Sequence, residues 1–232
     1  MSQPLSTPLN GRIDVISDVV CPWCWVGKRH LATALDILAA EGLHFDVGYR
    51  AFRLNPDMPE GGMDRAEYRR QKFGSVERGK ELDARITGIG QGVGLDFQFE
   101  RITRSPVTRD AHRLIALAAP TGRQLDLVEA LFGAYFRDGK DIGDRQVLAD
   151  LAAGPLGLDR DAVLEFLASG EGAEAMEAED MGFRRAGISG VPSFLLDGHL
   201  LTSGAVPGED LAAMIKQGVE ILRQRRLQSA AG

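Results

Sequence analysis

Two cysteines occur in the 232 residues, and they stand three apart in Cys21-Pro22-Trp23-Cys24. This spacing constrains the chain more than any other feature, because on a helix it puts both sulfurs on one face, one turn apart. It admits two chemistries: a dithiol that closes and reopens as a disulfide, or half of a zinc site. Zinc generally takes four ligands, and the chain adds only four scattered histidines, none in a second close-spaced pair. Redox use is favoured, provided the flanking chain folds as such a pair requires.

The flanks do so. Residues Arg12 to Val19 alternate Ile13, Val15 and Val19 with polar neighbours, while Ile16 breaks the alternation as a strand buried on both faces would. Cys21-Pro22 opens a helix over Trp25 to Ala40, with Val26, Leu31, Leu35 and Leu38 at helical spacing and Gly42 closing it. His44 to Phe52 is a second strand, ending at Asn55-Pro56. From Asp57 to about Gly187 the strand signal disappears and helix-sized patterns follow. The clearest, Leu125 to Phe136, puts Leu127, Val128, Leu131, Phe132, Tyr135 and Phe136 on one broad face, which reads as core packing. Phe194-Leu195-Leu196, Asp197-Gly198 and Leu200-Leu201-Thr202 form a hairpin, and Gly208 to Arg226 a terminal helix. A CxxC behind a strand in a strand-helix-strand unit is the thioredoxin-like redox arrangement. The expected fold is therefore α/β, thioredoxin-like with a large all-helical insertion: residues 12–56 and 188–228 form the two parts of the thioredoxin-like domain, and residues 57–187 the insertion.

A hydrophobic content of 44% is enough for a sizeable core. A net charge of −6 without clustered Lys and Arg argues against a nucleic-acid surface. Met1 to Gly11 reads as a polar tail and not a secretion signal, and no later run is long and apolar enough to cross a membrane. The expected location is cytoplasmic, where thiols are kept reduced and a disulfide is more often catalytic than structural.

Cys21, at the mouth of its helix, meets unpaired backbone N–H groups and the positive end of the helix dipole, both of which favour thiolate. It is the expected attacker; Cys24, sheltered one turn on, is the resolver. Pro22 suits the first helical position, where its missing N–H costs nothing. Trp23, inside the motif, is expected to be partly exposed and to contact substrate, and Trp25 to face the core. Val191-Pro192 precedes a strand, where a cis proline turns a backbone edge towards an active site, although only about 5 to 6% of such bonds are cis. Asp18 is read either as a group acting on the cysteine pair or as a structural hydrogen-bond acceptor. His112 is read as packed and hydrogen-bonded without a catalytic role, and Lys28 and Arg29 as a solvated helix face.

Five stretches then occur in a specific order: Ser17-Asp18-Val19-Val20-Cys21-Pro22-Trp23-Cys24-Trp25-Val26-Gly27, Phe52-Arg53-Leu54-Asn55-Pro56-Asp57-Met58, Asp110-Ala111-His112-Arg113-Leu114, Ala134-Tyr135-Phe136, and Gly187-Ile188-Ser189-Gly190-Val191-Pro192-Ser193-Phe194. With them the chain resembles the DsbA-like thioredoxin family nearly end to end, most closely its cytoplasmic FrnE-like branch. The resemblance implies a thioredoxin domain interrupted by a helical insertion, a redox-active pair at Cys21 and Cys24 and a cis proline at Pro192 facing it; with the Val191 backbone left free to pair with an extended substrate, Trp23, Val191 and Pro192 are the expected substrate-binding residues. The same branch is similar to kappa-class glutathione transferases and 2-hydroxychromene-2-carboxylate isomerases, which put serine where Cys21 stands and tend to carry Ser-Asp where this chain has Ala205-Val206. Those differences argue against a dedicated glutathione enzyme. FrnE-like relatives more often have Gln at the position of Val206, so the substrate surface need not match theirs.

The expected function is a protein-disulfide reductase or isomerase acting on polypeptide thiols or disulfides through a mixed disulfide at Cys21. No cofactor or metal is expected to be bound, glutathione is a candidate redox partner, and the oligomeric state is left open, a homodimer included. The rival readings are a glutathione-dependent isomerase or transferase acting on a small aromatic compound, and a redox-independent binding protein. Strongly oxidising members of the family place a histidine between the cysteines, and Trp23 brings no such charge.

Overall fold

The computed structural model describes residues 10–231, the side chains of residues 155, 156, 230 and 231 excepted. Apart from its last two residues, the polar tail expected over Met1 to Gly11 lies outside this range. Strand β1 (Gly11–Ser17) runs into helix α1 (Pro22–Ala40), and the chain returns along β2 (Phe45–Ala51), parallel to β1 with Ile13 opposite Val47 and Val15 opposite Tyr49. β1 stops two residues short of the expected Val19 because the Cys21 N–H bonds the Asp18 carbonyl at 3.0 Å, closing a turn between strand and helix. After the helical segment come β5 (Ser193–Leu196) and β6 (His199–Ser203), and the sheet order is β2-β1-β5-β6 with β5 antiparallel to β1. Asp197 and Gly198 take φ of 46° and 80°, so positive φ at both central positions turns this hairpin, as the Asp-Gly pair suggests.

Alternation along the strands sorts the side chains into two layers. Ile13, Val15, Phe194 and Leu196 join the main core with α1 and with α9 (Gly208–Ala231); Ile16 and Leu195 join Phe52 and Ile188 in a smaller cluster on the other side. Phe183 of α8 (Ala173–Arg185) packs on that second cluster. The terminal helix runs five residues past the expected Arg226.

The segment between the two halves holds α2 (Arg65–Phe73), α3 (Val76–Gly92), α4 (Arg109–Ala118), α5 (Gln124–Phe132), α6 (Arg145–Leu156) and α7 (Arg160–Ser169), followed by α8. It also holds a short antiparallel pair, β3 (Met63–Asp64) with β4 (Arg104–Ser105), where no strand signal was expected; two residues per strand are too few for alternation to show. The single helix expected over Leu125 to Phe136 is α5 followed by a π turn over Gly133–Arg137, in which the Asp138 N–H bonds the Gly133 carbonyl at 3.1 Å. Phe132 and Phe136 both stack on Trp25 of α1, at 6.1 and 5.9 Å, and Phe97 meets the same indole edge-on at 5.2 Å. One continuous apolar core thus joins the helices to the active-site helix.

Arg113 of α4 is buried within these helices and has a partner at each of its three guanidinium nitrogens. Its guanidinium donates to Asp110 (2.7 Å) and to the carbonyls of Phe166 (2.8 Å), Leu167 (3.1 Å) and Glu171 (2.7 Å), tying α4 to the end of α7 and the turn after it. A buried cation with every neighbour satisfied is costly to truncate, because its partners are left unpaired and dry. Arg113→Ala should lower stability by about 3 to 5 kcal/mol in urea unfolding. The exposed Arg123→Ala, which removes only a surface pair with Asp126, should stay within about 0.5 kcal/mol. Equal losses would show that the Arg113 network does not hold these helices together.

Candidate functional site

Cys21 occupies the cap position of α1 with an extended backbone, and Pro22 takes the first helical position. Its thiol points at the backbone carbonyl of Val191, with Sγ to oxygen 3.6 Å, and the Val191–Pro192 bond is cis. Two features bring this loop so close. A Cβ on Gly27 would lie 2.8 Å from Pro192 Cγ, so only glycine at that place in α1 allows the ring to pack there. From the other side the Gly204 N–H bonds the Pro192 carbonyl at 2.7 Å. Both thiols are free. Cys21 keeps 4% exposure, Cys24 none, and Trp23 40%, so the motif presents one reachable sulfur beside one exposed indole.

The Cys24 thiol is held well above its ordinary pKa. Burial is the main cause, and the hydrogen bond and negative charge of Cys21 add to it; the Ser17 hydroxyl and the Asp18 backbone oppose them. Tyr49 of β2 lies behind this pair, its hydroxyl pKa raised by burial and then by the charge on Cys24. Asp18 is fully buried and makes structural bonds: one carboxylate oxygen accepts the Leu54 N–H at 2.7 Å, and the other lies 3.2 Å from His112 Nε2. His112 is packed and hydrogen-bonded, as its helical setting suggests. That its partner is Asp18, 94 residues away, is invisible to local pattern, although both residues lie in the stretches that carry the family resemblance.

Lys28 and Arg29 do not form a solvated face. Both pair with Glu129 of α5, Lys28 Nζ at 2.8 Å and Arg29 through two contacts, and the Trp25 indole N–H reaches the same carboxylate at 3.2 Å. Buried apolar neighbours on α5 bring Glu129 against α1, and although burial alone would raise its pKa, the hydrogen bonds and charges of Lys28 and Arg29 hold it below the usual carboxylate value. No local pattern marks Glu129, which is an ordinary charged position in an otherwise apolar stripe.

Over Cys21 opens a groove of about 450 Å³, with Val20, Pro22, Trp23 and Leu54 on one side and residues of α2 and α3, among them Arg65, Tyr68 and Ile86, on the other. Val191 and Pro192 border Cys21 from the β5 side. The structure thus gathers Cys21, Cys24, Val191 and Pro192 at one point and leaves Trp23 on the groove wall. The α2 and α3 residues facing them carried no sequence motif. Among the described residues no three His, Cys, Asp or Glu side chains are grouped to hold a metal ion, and no helix is long and apolar enough to cross a membrane.

Residues 12–216 match the DSBA-like thioredoxin domain family. The crystal structure of a probable DsbA oxidoreductase from Streptomyces coelicolor is 30% identical, with a TM-score of 0.78 over 89% of each chain. The cytosolic disulfide reductase DsbM from Pseudomonas aeruginosa, with GSH, has the same fold at 23% identity and a TM-score of 0.61, covering 90% of this chain and 99% of that one. An uncharacterised protein of Bacillus subtilis, YwbO, is 25% identical over 200 residues, 86% of this chain and 92% of its own. With the matched domain spanning the strand-helix junction, the helical segment and the proline loop, the chain belongs to the DsbA-like thioredoxin family.

Proposed function

We propose that the protein is a cytoplasmic disulfide reductase or isomerase that acts on polypeptides through a mixed disulfide at Cys21. The observation that carries this reading is the asymmetry of the pair: Cys21 Sγ lies at the helix mouth, 3.6 Å from the Val191 carbonyl and facing the groove, while Cys24 is sealed beneath it. In the reducing direction the Cys21 thiolate attacks one sulfur of a substrate disulfide, forming a new S–S bond and releasing the other sulfur as a thiolate. Cys24 then attacks Cys21 Sγ and expels the second substrate sulfur, its proton ending on a released substrate thiolate, and Cys21–Cys24 is left oxidised. Two electrons pass from the dithiol to the substrate. Two molecules of glutathione, oxidised to their disulfide, would restore the dithiol.

The surroundings of Cys24 favour this order of events. Part of what keeps its proton on is the hydrogen bond and charge of Cys21, and both vanish once the Cys21 sulfur is tied up in the mixed disulfide. Cys24 thus becomes easier to deprotonate at the stage where it must attack.

Cys24→Ser should accumulate mixed disulfides with polypeptides on non-reducing gels, and Cys21→Ser should not. Equal trapping, or the reverse, would overturn the assignment of attacker and resolver.

Redox poise follows from the dipeptide and its surroundings. Pro22-Trp23 supplies no cation to stabilise a thiolate, so the reduced form is not favoured as it is in strongly oxidising relatives. The expected reduction potential lies between about −270 mV, as in thioredoxin, and about −120 mV, as in DsbA, nearer the former. Equilibration with glutathione at graded ratios measures it. A value as oxidising as that of DsbA would rule out net reduction as the role.

A further inference from the structure

The groove over Cys21 has an uneven charge that the dithiol chemistry does not use. Arg65, Lys72 and Arg85 line it, and the one lining carboxylate, Asp83, is already paired with Arg69 from the neighbouring turn of α2. Arg65 is thinly satisfied: its guanidinium reaches the Tyr135 hydroxyl at 3.5 Å and Asp83 at 3.7 Å, and its buried Nε has no partner among the described residues. Lys72 has only the Asn55 side-chain oxygen at 3.4 Å, and Arg85 has no carboxylate within ion-pair distance among the described residues. A chain of net charge −6 therefore places beside its reactive sulfur two cations, Lys72 and Arg85, with no carboxylate partner among the described residues, and a third, Arg65, that shares one carboxylate with Arg69. Such a patch focuses a positive potential on the groove mouth.

The shape of the groove indicates what the cations would meet. Two aromatic side chains, Trp23 at 40% and Phe73 at 37% exposure, stand on its walls as apolar contacts. Past Tyr68 and Lys72 it continues into a second hollow of about 300 Å³ lined by Pro56, Asp57, Met58 and Met63, with Leu54, Tyr68 and Lys72 shared between the two, so the cations gather at the Cys21 end and a carboxylate stands at the far one. A furrow that leads away from the sulfur past Trp23, Phe73, Tyr68 and three cations fits an extended chain better than a compact molecule.

We propose that this furrow selects polypeptide substrates in which the reacting cysteine lies in an acidic segment, with Asp or Glu side chains meeting Lys72, Arg85 and Arg65 and an apolar side chain resting on Trp23 or Phe73. The inference rests on the polypeptide reductase reading and adds the chemical class of its substrate. Complementary charge of this kind acts chiefly on the rate of encounter, so it enters through kcat/KM and is screened by salt.

The test uses the full chain and two peptides that each carry one internal disulfide and differ only in having Glu or Lys at the flanking positions. Dithiothreitol, which is uncharged, replaces glutathione as the reductant, so that no anionic thiol competes for the cations. At low salt the Glu peptide should exceed the Lys peptide in kcat/KM by roughly ten-fold, and most of that ratio should disappear at about 0.3 M salt, where screening is strong. The double variant Lys72→Glu with Arg85→Glu should invert the ratio, a result that general damage to the fold would not give. Equal turnover of the two peptides by the unaltered chain, or a ratio that the double variant leaves unmoved, overturns the acidic-substrate proposal. Failure of the unaltered chain to reduce either peptide or a small neutral disulfide would instead overturn the reductase reading beneath it.

Discussion

The approach of the Val191–Pro192 loop to the first turn of α1 is the contact on which the site depends. It joins two points 170 residues apart, the end of β1 and the start of β5, and it is possible because these strands are hydrogen-bonded neighbours. Ile16 is paired with Ser193, so the chain leaving β1 towards Cys21 and the chain entering β5 from Pro192 emerge at the same edge of the sheet. Gly27 then sets how near they come, since a methyl group there would occupy the place of the proline ring. The reactive sulfur is positioned by sheet register first and by local packing second.

The helical segment supports this arrangement from the other side of α1. Trp25 shares one stack with Phe132 and Phe136, and its indole N–H shares Glu129 with Lys28 and Arg29. Apolar packing fixes the distance between α1 and α5, while the ion pairs fix rotation about the helix axis. Both matter for a CxxC motif. A modest rotation of α1 would bury Cys21 or expose Cys24 and so remove the difference in environment between them.

Much of the fold was legible because its signals are local. The strand-helix-strand order, the Asp197-Gly198 hairpin turn and the cysteine pair at a helix mouth each follow from residues within a few positions of one another. The helical content of the middle segment could likewise be read from its punctuation. The features that were missed depend on distant partners. Lys28 and Arg29 look like ordinary surface cations until α5 brings Glu129 against them, and for His112, read correctly as packed and hydrogen-bonded, only the identity of its partner Asp18 was out of reach. The β3–β4 pair and the π turn after α5 were illegible for another reason: two residues per strand and one widened turn are shorter than the window over which periodicity can be judged. The cations of the groove come from α2 and α3, whose charged sequences resemble those of any exposed helix until the fold turns them towards Cys21.

Burying Cys24 poses a problem that its surroundings answer in part. A sealed thiol resists deprotonation, which protects it from stray oxidants but also hinders the attack it must make. The groups around it divide accordingly. The Ser17 hydroxyl and the Asp18 backbone favour the charged sulfur, while Tyr49, whose own ionisation is pushed far up by burial, stays a neutral phenol that adds no charge of its own. The Asp18 carboxylate is anchored by the Leu54 N–H and His112, and its carbonyl receives the Cys21 N–H. One residue therefore ties the Leu54 wall of the groove, the turn before Cys21 and the back of Cys24 into a single framework. The buried Asp18 carboxylate acts through backbone it holds in place, fixing the turn from which α1 and its two sulfurs start.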